Sequence, residues 1–305
     1  MNNTPINWQW YAEAANQVKR LDELDNLAKN KISSGFSGLD EMIDGGFKPG
    51  ELIILSAPTK QGKSTLAQTL TWNMGKSNRM SLWFTMEMSW QELTRKFMAM
   101  DQKYQELKTP TLAPIFYPLE NCLSGGDIQM RWIKETIRES IAKNKTEFVV
   151  IDHLHFLLPL KDFNTNPSFL IGGIVREIKK MAVELGIPIL LIAHTTKLDT
   201  EKTPDINSIR DSSFIAQESD FTMIMWRIRD KGATLKATDD PDGDRQIVYT
   251  NKAWLSLEAN RRTGRTGRIK LWHDGAKFNA YTEEKRKEDE LQSFADTFKG
   301  KVINY

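Results

Sequence analysis

The chain has 305 residues, 42 lysines and arginines against 40 acids, a formal charge of +2 and 40% hydrophobic residues. That length admits two domains, or one α/β domain of about 250 residues with short appendages; the near-balanced charge excludes a global basic field for nucleic acid. The single cysteine, Cys122, excludes a disulfide framework or a cysteine zinc site, and no apolar run approaches a membrane span, so a soluble, intracellular chain with no membrane partner is expected.

Residues 1–32 read as a linker helix: Trp8, Trp10, Tyr11, Val18, Leu21, Leu24 and Leu27 recur at spacings near three and four. It has too little apolar surface to fold alone, and packs either on the following domain or on a neighbouring subunit. A glycine-rich lead, Ser34 to Asp40 and Gly45 to Gly50, then enters the apolar run Leu52–Leu55. Directly after it come Ala57, Pro58, Thr59, Lys60, Gln61, Gly62, Lys63 and Ser64, with Thr65 opening a helix-type segment. A strand, a tight turn and a helix with Gly-Lys-Ser at the turn make a phosphate cradle, because backbone N–H groups at a helix N-terminus point at the anion. Lys63 is placed to reach the terminal phosphates of ATP or another NTP, and Ser64 to put its hydroxyl on Mg²⁺.

Beyond the cradle, Ser81–Thr85 reads as a strand, 89–102 as a helix, Asp127 to Lys143 as an amphipathic helix, and Phe148–Asp152 as a buried strand. Leu170 to Leu185 is a helix that ends at Gly186, and Ile187–His194 another buried strand. Near-continuous apolar strands alternating with helices imply a mostly parallel twisted sheet covered on both faces. After residue 220 strands are expected at 221–226, 246–250, 254–259 and 268–272, with a polar turn at 239–244. Residues 283–305 are charge-dense and mixed in sign, as a solvated helix or tail would be, which leaves 33–282 as the main domain.

NTP hydrolysis also needs an acid near Mg²⁺, a group that orients water, and positive charge on the γ-phosphoryl. Asp152 ends an apolar strand where such an acid belongs. Glu87 ends another, where it can polarise the attacking water. His194 ends a third, where it can hydrogen-bond the γ-phosphate and report its loss.

In this order the cradle, Phe84-Thr85-Met86-Glu87-Met88, Val149-Val150-Ile151-Asp152-His153-Leu154 and Arg210-Asp211-Ser212-Ser213 resemble the RecA-like motor domain of DnaB-type replicative helicases, over roughly residues 33–281. DnaB has Gln at the sensor strand, whereas His194 is similar to phage primase-helicases and mitochondrial Twinkle. The resemblance implies a RecA-like P-loop NTPase fold with antiparallel C-terminal strands, Glu87 as catalytic base, and Lys63, Asp152 and His194 as its companions. It also implies an arginine finger acting on a neighbour's ATP: the loop Asn260–Gly267 offers Arg261 by phage spacing and Arg262 by DnaB spacing. Lys197, Lys202, Arg210, Asp211 and Ser213 fall in the polar stretch 195–213 as the candidate DNA loop, with Lys161 weaker on a first loop. A ring, expected as a hexamer, would gather these loops around single-stranded DNA in replication, with a primase, polymerase or single-strand-binding protein as candidate partners, in a bacterial or phage-infected cell. Neither a primase module nor a DnaB-type collar fits in the residues before 33, as expected of a stand-alone short helicase of phage type or a piece of a longer chain. The alternatives are a RecA-, RadA- or KaiC-like ATPase acting in recombination, repair or signalling without unwinding, and a nucleotide-dependent scaffold.

Overall fold

The apolar run after the glycine-rich lead forms β1 (Leu52–Ala57), and its alternation sorts it between two cores. Ile53, Leu55 and Ala57 face one cluster and Leu52 and Ile54 the other, as a pleat with helices on both sides requires. The computed structural model describes residues 31–104, 115–118, 127–157, 167–196, 202–209, 212–235 and 246–299.

Around β1 the described chain runs α1 (Ser37–Met42), α2 (Lys63–Lys76), β2 (Met80–Thr85), α3 (Trp90–Tyr104), β3 (Ile115–Pro118), α4 (Asp127–Asn144), β4 (Thr146–Asp152), α5 (Pro167–Leu185), β5 (Ile189–His194) and α6 (Ser212–Glu218). Then come β6 (Phe221–Leu235), β7 (Gln246–Asn260), β8 (Gly267–His273), β9 (Phe278–Ala280) and α7 (Glu283–Lys299). All nine strands join one sheet in the order β3-β2-β4-β5-β1-β6-β7-β8-β9. Pairing is parallel from β3 to β6 and antiparallel from β6 to β9. Leu66, Leu70, Leu93 and Phe97 of α2 and α3 cover one face; Ile133, Ile137, Ile171 and Ile178 of α4 and α5 cover the other. Among the described residues no helix is long and apolar enough to cross a membrane.

The late strands differ from the expectation. The strand expected at 221–226 runs on to Leu235, and the segments at 246–250 and 254–259 are one strand, Gln246–Asn260. Register shifts in the β6–β7 ladder, one of them between Arg227 and Arg229, absorb the break in alternation that makes β7 look like two strands. The polar turn 239–244 lies outside the described residues, as do residues 1–30 of the expected linker helix. Ile32 is buried and pairs with Phe47. The charged C-terminal segment is helical over Glu283–Lys299, and its first half is held on the sheet by Asp289, which meets Lys252 at 2.6 Å and the Tyr281 hydroxyl at 2.9 Å.

Candidate active site

Four neighbouring strands bring the site together at their C-terminal ends. Ala57 of β1 is paired with His194 of β5, Asp152 of β4 with Ile192 of β5, and Thr85 of β2 with Asp152. Parallel pairing of three apolar strands therefore delivers Ala57, His194 and Asp152 to one edge. Glu87 sits two residues past β2, and the Met86 N–H donates to the Asp152 carbonyl at 2.7 Å, fastening that crossing.

The cradle follows from its glycine. Gly62 has φ of 100° and caps α2, a conformation an L side chain rarely adopts. A Cβ there would also stand 3.1 Å from the Phe278 ring. The turn is closed by Gln61 N–H donating to the Pro58 carbonyl at 3.2 Å, and Lys60 is left-handed as well, with φ of 63°. Lys63, Ser64 and Thr65 form the first turn of α2, so their N–H groups lie at the positive end of the helix. The Gln61 side chain accepts from the Arg227 N–H at 2.6 Å and ties the cradle to β6.

The Lys63 ammonium stands 3.1 Å from the Glu87 carboxylate, which is 40% exposed. The candidate base is therefore held by the lysine expected to reach phosphate. Asp152 is fully buried, and among the described residues neither of its carboxylate oxygens has a hydrogen-bond partner. Burial pushes its carboxyl up to about 6; Lys63 opposes the rise and Glu87 adds to it. Ser64 lowers it too, although its hydroxyl does not reach formed hydrogen-bond geometry. A buried, unpartnered carboxylate beside a serine hydroxyl is a donor set that suits a hard divalent cation. Mg²⁺ bound by Asp152 and Ser64 would neutralise charge on the phosphates.

A histidine cluster adjoins this set. His153 Nε2 and His194 Nε2 are 2.9 Å apart, and both approach Glu87, at 3.7 and 4.0 Å. Burial, with His194 and Lys63 close by, pushes His153 down to about 3, so it is neutral. Glu87, His153 and His194 present three donor atoms within 4.8 Å of one another, yet the surroundings oppose a transition metal. A metal-bound imidazole donates from its other nitrogen, whereas His153 Nδ1 accepts the His155 backbone N–H at 3.2 Å. The lysine ammonium beside Glu87 repels a cation further.

The two finger candidates separate. Asn260 is paired with Phe221, the first residue of β6, so the loop after β7 lies at the opposite sheet edge from the cradle. The Arg261 N–H donates to the Asp220 carbonyl at 2.8 Å, and Asp220 in turn accepts from Leu52 N–H at the start of β1. The length of β1, about 17 Å at 3.3 Å per residue, separates the loop from its own nucleotide pocket. Arg262 turns inward: its guanidinium pairs with Glu51, donates to the carbonyls of Ile43 and Gly46, and lies 5.0 Å over the Phe221 ring, with only 15% exposure. Arg261 is exposed and donates to the Gln217 carbonyl.

Within the polar stretch 195–213, the described residues 195–196 and 202–209 are tied to one another. Thr195 bridges Ile209, Thr196 N–H donates to Ser208 at 2.8 Å, and Asp205 and Ser208 form a reciprocal cap. Lys202 is exposed and Ser213 lies in α6, while Lys197, Arg210, Asp211 and Lys161 fall outside the described residues. Sequence reasoning missed Glu51 as the partner of Arg262, and it passed over His153, although three of four histidines at the ends of two strands was a signal.

A profile of the DnaB-like helicase C terminal domain matches residues 121–282, more than half of the chain, and one of an AAA domain matches 17–200. The replicative DNA helicase DnaB of Mycoplasma pneumoniae is 24% identical over 271 residues, covering 80% of this chain and 55% of that protein. That of Geobacillus stearothermophilus is 25% identical over 214 residues, 64% of this chain and 47% of that protein. The chain thus spans about half the length of such relatives. Among solved structures, an ATPase domain superposes with a TM-score of 0.65 at 19% identity, over 88% of this chain and 97% of that one. A DnaB-like replicative helicase, in a structure addressing its interactions with primase, gives 0.66 at 20%, over 86% and 66%. The fold is RecA-like, and the chain belongs to the DnaB-like helicase C-terminal domain family.

Proposed function

We propose that this chain is the ATP-driven motor of a ring-forming DNA helicase that moves on single-stranded DNA. The observation that carries the reading is the division of charges between sheet edges: Lys63, Glu87, Asp152 and His194 gather at one edge, Arg261 at the other. An arginine so placed cannot serve its own pocket, but in a closed ring it meets the pocket of the next subunit. We assign the finger to Arg261, since Arg262 is committed inside its own subunit.

In hydrolysis, ATP draws Lys63 onto its phosphates, which frees Glu87 to polarise the attacking water. Arg261 of the adjoining subunit adds charge as the γ-phosphoryl departs. The movement at His194 passes along the chain to Thr195, whose bridge to Ile209 ends one residue before Arg210. Lys197, Lys202, Arg210, Asp211 and Ser213 are the proposed DNA contacts, repeated around a hexameric channel that tracks the strand without reading sequence.

Strand displacement on a forked duplex tests this. ATP-dependent unwinding that fails with Lys63→Ala is expected. Annealing and filament formation without unwinding would instead identify a recombination-type ATPase. A primase, polymerase or single-strand-binding protein as partner is the further proposal, checked by co-migration with the assembled ring.

A further inference from the structure

Three of the chain's four histidines meet beside the candidate base, with ring centroids 4.1 Å apart for His153 and His194, 5.6 Å for His153 and His155, and 5.7 Å for His155 and His194. The hydrogens of His153 and His194 can be placed from one fixed donor. The His155 backbone N–H only donates, so His153 Nδ1, 3.2 Å away, holds a lone pair. A neutral imidazole then carries its hydrogen on Nε2. That hydrogen points along the 2.9 Å contact with His194 Nε2, which must accept it, and the hydrogen of His194 is left on Nδ1. Two N–H groups cannot face each other across that distance.

We infer that His153 is a positioning residue for the γ-phosphate sensor: its Nε2–H holds His194 with Nε2 as an acceptor, which silences the sensor until a triphosphate competes for it. The inference rests on the reading of His194 as that sensor. The nitrogen of His194 that faces Glu87, at 4.0 Å, and with it the Lys63 ammonium, is Nε2; phosphate oxygens only accept, so His194 Nε2 can bind one there only as a donor. ATP must therefore break the His153–His194 bond, and the His194 hydrogen must move from Nδ1 to Nε2 by exchange with solvent, with no net gain or loss of protons. His153 is 5% exposed and held by the strand end that carries Asp152, so the latch is anchored to the same strand as the candidate cation ligand.

The test is long-range ¹H–¹⁵N correlation on the full chain with ¹⁵N-labelled histidine, which reads each ring's tautomer. Without nucleotide His194 is expected as the Nδ1–H form, and with a non-hydrolysable ATP analogue as the Nε2–H form. His153→Phe removes the donor. It should release His194 to Nε2–H without nucleotide and tighten the analogue by about three- to ten-fold, the factor one neutral hydrogen bond is worth. His153→Gln keeps a donor of similar reach and should restore the wild-type tautomer and affinity, which a purely structural role would not do. An Nε2–H form of His194 in the nucleotide-free wild type overturns the inference, and so does a His153→Phe protein with unchanged tautomer and affinity. Should His153→Phe fail to fold, the wild-type tautomer alone decides. Failure to bind ATP at all would sink the motor reading instead, since the nucleotide-free tautomer is measured independently of it.

Discussion

Replacing Arg262 with alanine separates a structural arginine from the proposed catalytic one, Arg261. Its guanidinium makes a two-pronged contact with Glu51, through Nε at 2.9 Å and through Nη2, and donates to Ile43 and, at 3.0 Å, to Gly46. Glu51 is itself 12% exposed on its side chain, and burial already pushes its carboxyl up although Arg262 pulls it down. Among the described residues, removing the cation leaves that carboxylate with only the Lys48 N–H, at 2.7 Å, and takes a donor from two carbonyls. Breaking a fully buried pair costs about 3–5 kcal/mol, and an exposed pair about 0–1 kcal/mol. With roughly an eighth of each side chain in water, the loss should fall near the lower end of the buried range, about 3 kcal/mol. For a domain of about 250 residues that lowers the melting midpoint by about 6–12 °C. Arg261→Ala removes one exposed contact and should leave the midpoint within a degree or two, while turnover falls by about 10³-fold. The assay is a melting curve and an ATPase rate on each variant. An Arg262→Ala protein with wild-type melting and lost turnover would refute the assignment of roles.

Asp152→Asn should abolish turnover yet raise the nucleotide-free melting midpoint. The folded carboxyl has its pKa raised from 3.8 to about 6, so ionising it opposes folding as pH rises through that window. The gain should be complete above pH 6 and absent below 3.8, and a variant less stable than wild type at pH 7 contradicts it. Asp289 runs the other way: Lys252, Tyr281 and Lys285 hold it down to about 2 against a desolvation that would raise it. Its contribution is full above 3.8 and is lost as pH falls toward 2, so the melting gap between wild type and Asp289→Asn should narrow below pH 4 and stay constant from 5 to 8. Glu87→Gln should cut turnover by about 10²–10⁴-fold while tightening ATP, because the amide no longer holds Lys63. Weaker ATP binding in equilibrium titration would show that the ion pair does not compete with nucleotide.

What the sequence disclosed was set by local pattern. The positions of the cradle, of Asp152 and His194 at their strand ends, and of Glu87 just past the end of β2 were legible because each follows an apolar run, and parallel pairing then aligns those ends. The length of β6 and β7 was not, since irregular pairing breaks the alternation that marks a strand. The choice between Arg261 and Arg262 was closed to sequence for a different reason: the partner that commits Arg262 is Glu51, 211 residues away. The contact of His153 with His194 left no local signal in the sequence, because the two are 41 residues apart. In the polar stretch after His194, the Asp205–Ser208 cap was not legible because its residues suit an open loop equally well, and the Thr195–Ile209 bridge joins residues 14 apart with no strand pattern between them.

The most direct test of a pocket shared between subunits is the ATPase rate of Lys63→Ala and Arg261→Ala proteins mixed in the presence of single-stranded DNA. Each alone should be nearly inactive, and the mixture should recover turnover, because some pockets then pair an intact Lys63 with an intact Arg261 from next door. A mixture no more active than its components, in rings shown to have exchanged subunits, would contradict the shared pocket.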